Sequence, residues 1–265
     1  MGTVAEAPLR RVAVLADVHG NLSALEAVLA DIAREPVDAV VLAGDLAAGP
    51  WPRETLDRLL GMPGLVLALR GNADREVVDA GARPPGVAPR GGPPPAVTAW
   101  VADQLTEPQR DWLARLPETL RVEVVGLGPV LVCHGSPRSD EEILTAITPD
   151  ARLRAALAGV DAGLVVCGHT HHQFDRGIDG VRLVNAGSVG MPYQDRPGAY
   201  WALLGPDVSL RRTDYDVAAT AAAIRQSDYP DAEEAAATLL TPPPAEEVAA
   251  HFEGIAERRA REGRV

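Results

Sequence analysis

Five short apolar runs in this chain each stop at a side chain that binds cations or protons, and this repetition constrains the fold most. Residues 11–16 (RVAVLA) lead into Asp17 and His19, and residues 37–43 into Gly44 and Asp45. Residues 65–69 lead into Gly71 and Asn72, residues 129–133 into His134, and residues 163–167 into Gly168, His169 and His171. Unbroken apolar runs are the pattern of strands buried on both faces. Ligands of open α/β sheets gather beyond the carboxyl ends of such strands. Strand ends carrying carboxylate, amide and imidazole groups therefore predict one converging site.

The intervening segments fit that scheme. Leu22, Leu25, Leu29 and Ile32 recur at helical spacing, with Asn21 or Ser23 as N-cap. Residues 53–60 and 140–158 are expected to be helical, and residues 121–125 and 129–133 to form a hairpin across 126–128. Further short strands are expected at 181–184, 199–204 and 208–212. A βαβαβ start followed by antiparallel additions predicts an α/β protein with mixed sheets. The expected division is a catalytic domain over 1–213 and a helical extension over 214–265 packed on it. Within the first part, residues 81–97 hold six Pro and four Gly and read as a loop or insertion. The tail places Val248, Phe252 and Ile255 on one apolar helical face, which packs on the domain or on a second copy, so a homo-oligomer is compatible with it.

Composition closes several mechanistic classes. The 265 residues include 25 basic ones, all arginine, so there is no P-loop lysine, kinase lysine or Schiff-base lysine. A net charge of −12 argues against broad nucleic-acid binding and against anionic membrane surfaces. The two cysteines, Cys133 and Cys167, are too few for a disulfide framework. With no leader pattern at the N-terminus and no apolar run of about 18 residues, the expectation is a cytoplasmic protein without a membrane segment.

Imidazole, carboxylate and amide ligands suit divalent Mn, Fe or Zn, and the absence of thiolates disfavours a structural zinc. Asp17 and His19 are two residues apart, as are His169 and His171, so extended backbone puts each pair on one side. Asp17, His19, Asp45, Asn72, His134, His169 and His171 are too many ligands for one tetrahedral ion. They suffice for two ions about 3.5–4 Å apart if Asp45 bridges them.

The blocks Asp17-Val-His19-Gly-Asn, Gly44-Asp45, Gly71-Asn72-Ala-Asp74, His134-Gly-Ser-Pro and Gly168-His169-Thr-His171 occur in that order, followed by Asn185-Ala-Gly-Ser188. In this the chain is similar to the calcineurin-like metallophosphoesterases, and most to their compact bacterial branch with small phosphodiesterases. The resemblance implies a four-layer αββα sandwich with two mixed sheets and the metal site at the strand C-terminal ends. It implies Asp17, His19, Asp45 and His171 around one ion and Asp45, Asn72, His134 and His169 around the other. A hydroxide bridging the ions would then be the nucleophile, with no protein nucleophile required. Many relatives carry a histidine where this chain has Ala73, beside Asp74. Its loss favours esters with good leaving groups, because a general acid contributes about 10²- to 10⁴-fold.

The expected activity is hydrolysis of a small phosphorylated substrate, a phosphodiester or phosphoanhydride of nucleotide type. The alternatives are a phosphomonoesterase or protein phosphatase, and a non-catalytic partner-binding scaffold. Secondary candidates each carry a plainer reading. His172 either replaces the missing proton donor or, by alternation, points away from the site. Asn21 caps a helix or contacts phosphate; Asn185 and Ser188 make a turn or support a ligand. Arg83, Arg90 and Arg138 are candidates to clamp phosphate, whereas Cys133 and Cys167 read as buried hydrophobes and His251 as structural.

Overall fold

The structure is a computed structural model that describes residues 7–82 and 95–263. Its first half runs β1 (Val12–Leu15), α1 (Leu22–Ile32), β2 (Ala39–Ala43), α2 (Pro52–Leu60), β3 (Leu65–Leu69), α3 (Asn72–Gly81), α4 (Ala96–Gln104) and α5 (Glu107–Ala114). A second run follows with β4 (Thr119–Val124), β5 (Gly128–Cys133), α6 (Asp150–Ala156), β6 (Leu164–Cys167), β7 (Phe174–Ile178) and β8 (Val181–Asn185). The chain then returns with β9 (Ala199–Leu204) and β10 (Val208–Thr213) and ends in α7 (Val217–Arg225), α8 (Ala232–Leu240) and α9 (Ala245–Arg261).

The strands form two mixed five-stranded sheets, ordered β10-β9-β1-β2-β3 and β4-β5-β6-β8-β7. In the first, β1, β2 and β3 are parallel and β9 and β10 antiparallel additions; in the second, β5, β6 and β8 are parallel. Alternation along each strand separates three cores. Val12, Val14, Val41 and Ala43 meet Val130, Val132, Leu164 and Val166 between the sheets. Ala13, Leu15, Val40 and Leu42 face Leu25, Val28, Leu56 and Val101 of the outer helices. On the far side Leu131, Cys133 and Val165 pack on Leu153 and Ala156 of α6. The result is the αββα sandwich, with the ligand-bearing ends of β1, β2, β5 and β6 at one rim.

The local structure departs from the sequence reading at several points. The helix expected over 140–158 spans only Asp150–Ala156. Pro149 disfavours helical geometry at Thr148, and Thr145 and Thr148 close a turn instead, Thr145 N–H donating to Thr148 Oγ1 at 2.8 Å. Residues 96–104 and 107–114 are helical although periodicity did not single them out; Thr106 and Gln109 form a capping box for the latter. Asn72 does not end a strand but opens α3, and Phe174–Ile178 adds an edge strand. Of the Pro/Gly-rich stretch, residues 83–94, with Arg83 and Arg90, lie outside the described residues.

The tail is three helices. Tight packing of α7 against α8 buries Ala221, Ile224, Ala236 and Leu239, while α9 is joined to the rest of the chain by polar contacts. Its Glu253 carboxylate accepts from Thr145 Oγ1 at 2.7 Å, Thr148 Oγ1 at 2.5 Å and Arg152 Nη2 at 2.6 Å. Further along, Arg259 donates to the Glu141 carbonyl at 2.9 Å, and Glu141 in turn pairs with Arg75 of α3. At the start of α9, Ala245 N–H reaches Asp195 Oδ1 at 3.2 Å.

Removing the Glu253 carboxylate leaves a mostly buried guanidinium and two hydroxyls without their acceptor. Glu253→Ala is therefore expected to lower stability by about 1–3 kcal/mol. The measurement is a denaturant midpoint at unchanged m-value; an unshifted midpoint contradicts the role given to this contact.

Candidate metal centre

The ligand-bearing segments leave their strands through left-handed residues. Among the described residues, six non-glycine positions have positive φ, and five of them are Asp17 (54°), His19 (45°), Asp45 (53°), His169 (67°) and His171 (58°). Such backbone costs about 1–3 kcal/mol per residue and persists only where neighbours over-determine it. Here the loops brace each other: Asp17 N–H donates to Gly44 O at 3.0 Å, His19 N–H to Asp45 O at 2.9 Å and Gly190 N–H to Asp17 O at 2.9 Å. Gly71 and Gly168 leave room for the carboxylates; a Cβ at Gly71 would collide with Asp45 Oδ1, and one at Gly168 with Asp17 Oδ2.

Two overlapping groups of ligand atoms result. Asp17, His19, Asp45 and His171 each place one ligand atom within 4.8 Å of the others, and so do Asp45, His134 and His169. Asp45 is common to both. Three imidazoles have a defined tautomer, because Nδ1 of His19, His134 and His171 faces the carbonyls of Ala48 (2.9 Å), Ala43 (2.8 Å) and Met191 (2.8 Å). A carbonyl only accepts, so each Nδ1 carries a proton.

The consequence for the neutral rings is an inward lone pair on each Nε2. Those of His19 and His171 lie only 3.1 Å apart, with Asp17 Oδ1 3.1 Å from the latter. Asp17 Oδ1 and Asn72 Oδ1 are buried without a hydrogen-bond partner. Asn72 Nδ2 meets Glu76 Oε1 at 3.5 Å, which leaves the amide oxygen as the free end. Buried acceptors crowded around one locus without donors are what a cation satisfies. The donor set fits divalent metal.

Electrostatics follow from the same packing. Burial opposes charge on Asp45, but adjacent His134 and His19 hold its carboxyl well below the usual range. Burial likewise works against an imidazolium at His134, yet Asp45 and Asp17 outweigh it and hold the pKa up, to about 10. At His169, burial and the neighbouring His134 push it down to about 4. Burial and His171 also lower His19.

A calcineurin-like phosphoesterase superfamily domain matches residues 11–205, a stretch containing all of these candidate ligands. The chain belongs to the calcineurin-like phosphoesterase superfamily. This member is thus a metallophosphoesterase, a hydrolase acting on phosphate ester bonds of a family that uses divalent metals. A metallophosphoesterase from Sphaerobacter thermophilus is 27% identical, with a TM-score of 0.70 over 88% of this chain and 98% of that one. The hypothetical protein PH1004 from Pyrococcus horikoshii OT3 shares the fold at 22% identity, with a TM-score of 0.74 over 89% and 99% of the two chains. None of the curated proteins matches the chain.

The other candidate residues of this phosphoesterase occupy distinct places. Asp74 is fully buried and accepts from the backbone N–H groups of Leu46 (2.9 Å) and Gly71 (3.0 Å), tying two ligand loops together. Burial, then the Asp45 charge, pushes its carboxyl up to about 7. Asn185 Nδ2 donates to Gly168 O at 2.6 Å and Thr170 Oγ1 at 3.0 Å, and Ser188 Oγ to Asp17 O at 2.8 Å. Asn21 caps α1 through Ala24 N–H at 3.1 Å and donates to Gly190 O at 2.9 Å.

Away from the cluster, the Arg138 guanidinium is held by Glu142 at 2.8 and 2.5 Å and by the Ala155 carbonyl. His172 is buried, its ring 5.6 Å from that of Phe174, and its Nδ1 lacks a partner. Cys133 and Cys167 are buried free thiols, each pushed up by burial. Sequence reasoning missed Tyr193, whose ring stacks on His171 at 4.9 Å and 22°; an aromatic just after the Asn185–Ser188 block was its one trace. It also missed the orienting carbonyls of Ala43, Ala48 and Met191, which no side chain advertises.

With His134 held up to about 10, the metal-free protein carries a proton there at neutral pH that a cation must displace. Mn affinity of the group that includes His134 is expected to rise about tenfold per pH unit between pH 6 and 8, with about one proton per chain released at this group. Calorimetry in buffers of different ionisation enthalpy measures the release; pH-independent binding contradicts it.

Proposed function

We propose that this phosphoesterase hydrolyses a small phosphodiester or phosphoanhydride at a pair of divalent ions, manganese foremost. The shared carboxylate carries the reading: Asp45 Oδ2 is 3.7 Å from His19 Nε2 and 3.2 Å from His134 Nε2, so one side chain serves both ligand groups. Asp17, His19, Asp45 and His171 hold one ion. Asp45, Asn72, His134 and His169 hold the other. Oxygen and imidazole donors without thiolate suit Mn, with Fe and Zn as competitors. When bound, the ions supply Lewis acidity toward phosphoryl oxygens and lower the pKa of water.

Substrate choice follows from what the chain itself offers the leaving group. Ala73 sits in the first turn of α3, where its N–H donates to Asp45 Oδ1 at 2.8 Å, and its methyl has no proton to give. The adjacent Asp74 is engaged by backbone donors instead of facing a histidine. Leaving groups that depart as stable anions, such as aryl or nucleotide phosphates, are therefore favoured over alkoxides. Among the described residues no helix is long and apolar enough to cross a membrane.

Metal-loaded protein compared on bis-p-nitrophenyl phosphate and p-nitrophenyl phosphate tests this. The diester is expected to have the higher kcat/KM by at least about tenfold, and Asp45→Ala to abolish both activities while the circular dichroism spectrum holds. Preference for the monoester sinks the diester assignment. Absence of turnover on diesters, monoesters and dinucleoside polyphosphates with Mn, Fe and Zn sinks the catalytic reading.

A further inference from the structure

Beside the ligand cluster, α8, α9 and the loop after β8 enclose a cleft of about 540 Å³. Tyr193, Glu234, Thr238, Glu247, His251 and Phe252 line it. It adjoins the metal centre at Tyr193, whose ring stacks on His171 and whose N–H donates to the His171 carbonyl at 3.1 Å. Phe252 lies 6.3 Å from Tyr193, and His251 lies 6.3 Å from Phe252, so three rings follow one another outward from a ligand.

We propose that this cleft is a subsite for the nucleobase of a nucleotide-type phosphoester whose phosphate lies at the metal cluster. The inference rests on the phosphoesterase reading for the placement of the phosphate. Chemistry selects the occupant. The walls offer aromatic surface, which holds a planar ring by stacking irrespective of its sequence identity. The charged groups lining the cleft are Glu234 and Glu247, and neither forms an ion pair among the described residues. Two carboxylates repel a second phosphate, which rules against a polyphosphate tail lying there, and they accept from the N–H donors of a base edge. Guanine presents the most such donors on one edge and is the probe of choice.

Two esters with one leaving group separate the cleft from the chemistry: the p-nitrophenyl esters of guanosine 5′-phosphate and of methyl phosphate. In the metal-loaded full chain, Phe252→Leu, which keeps apolar volume and removes the ring, is expected to lower kcat/KM for the guanosine ester about 5- to 100-fold through KM. The methyl ester is expected to be unchanged. Glu234→Gln is expected to weaken the guanosine ester more than its uridine counterpart, whose base lacks an exocyclic amine. Equilibrium dialysis of guanosine monophosphate against wild type and Phe252→Leu reads the cleft without turnover. Loss of binding in the variant supports the subsite even if no ester is cleaved, in which case the phosphoesterase reading alone fails. Turnover with equal effects on both esters, or nucleotide binding indifferent to Phe252, overturns the subsite.

Discussion

Two imidazole nitrogens with inward lone pairs, 3.1 Å apart in a buried place beside the Asp17 carboxylate, are the contact on which this architecture turns. Such an arrangement is repulsive unless a cation occupies it, and much of the local structure serves to hold it. Five candidate ligands keep left-handed backbone, glycines at 71 and 168 clear space for carboxylates, and Asp74, Asn185 and Ser188 direct their polar atoms at the loops that carry them. The parallel strands supply the rim, because their carboxyl ends converge where the two sheets meet.

The fold and the clustering of the candidate ligands were legible for one reason: each buried strand announces itself as an apolar run, and each candidate ligand follows such a run directly. Val12–Leu15 before Asp17 and Gly128–Cys133 before His134 are cases in point. The same logic failed where no run marks the element. Residues 140–149 have helical composition, yet a Thr145–Thr148 turn and Pro149 keep the helix to Asp150–Ala156. Helices α4 and α5 hide behind weak periodicity. Tertiary contacts were the least legible: Tyr193 reaches His171 from the far side of β8, and Arg138, 41% exposed, finds Glu142 instead of a phosphate. Neither outcome is encoded in spacing.

The C-terminal helices give the centre its individual surroundings. Along its length α9 touches Asp195, then Thr145, Thr148 and Arg152, then Glu141, which is paired to Arg75. These contacts join α9 to the loop after β8 and to the segment between β5 and α6, and by way of Glu141 and Arg75 to α3. The net charge of −12 also acquires a local meaning. Carboxylates concentrate at a cluster suited to cations, while the arginines near α9 are paired with glutamates and aspartates.

Titration of metal-free protein with Mn, followed by calorimetry and by metal content after gel filtration, tests the shared centre most directly. Two equivalents per chain are expected for wild type, one each for His19→Ala and His134→Ala, and neither at comparable affinity for Asp45→Ala. A single equivalent in wild type, or full occupancy in Asp45→Ala, would contradict a pair of sites joined through that carboxylate.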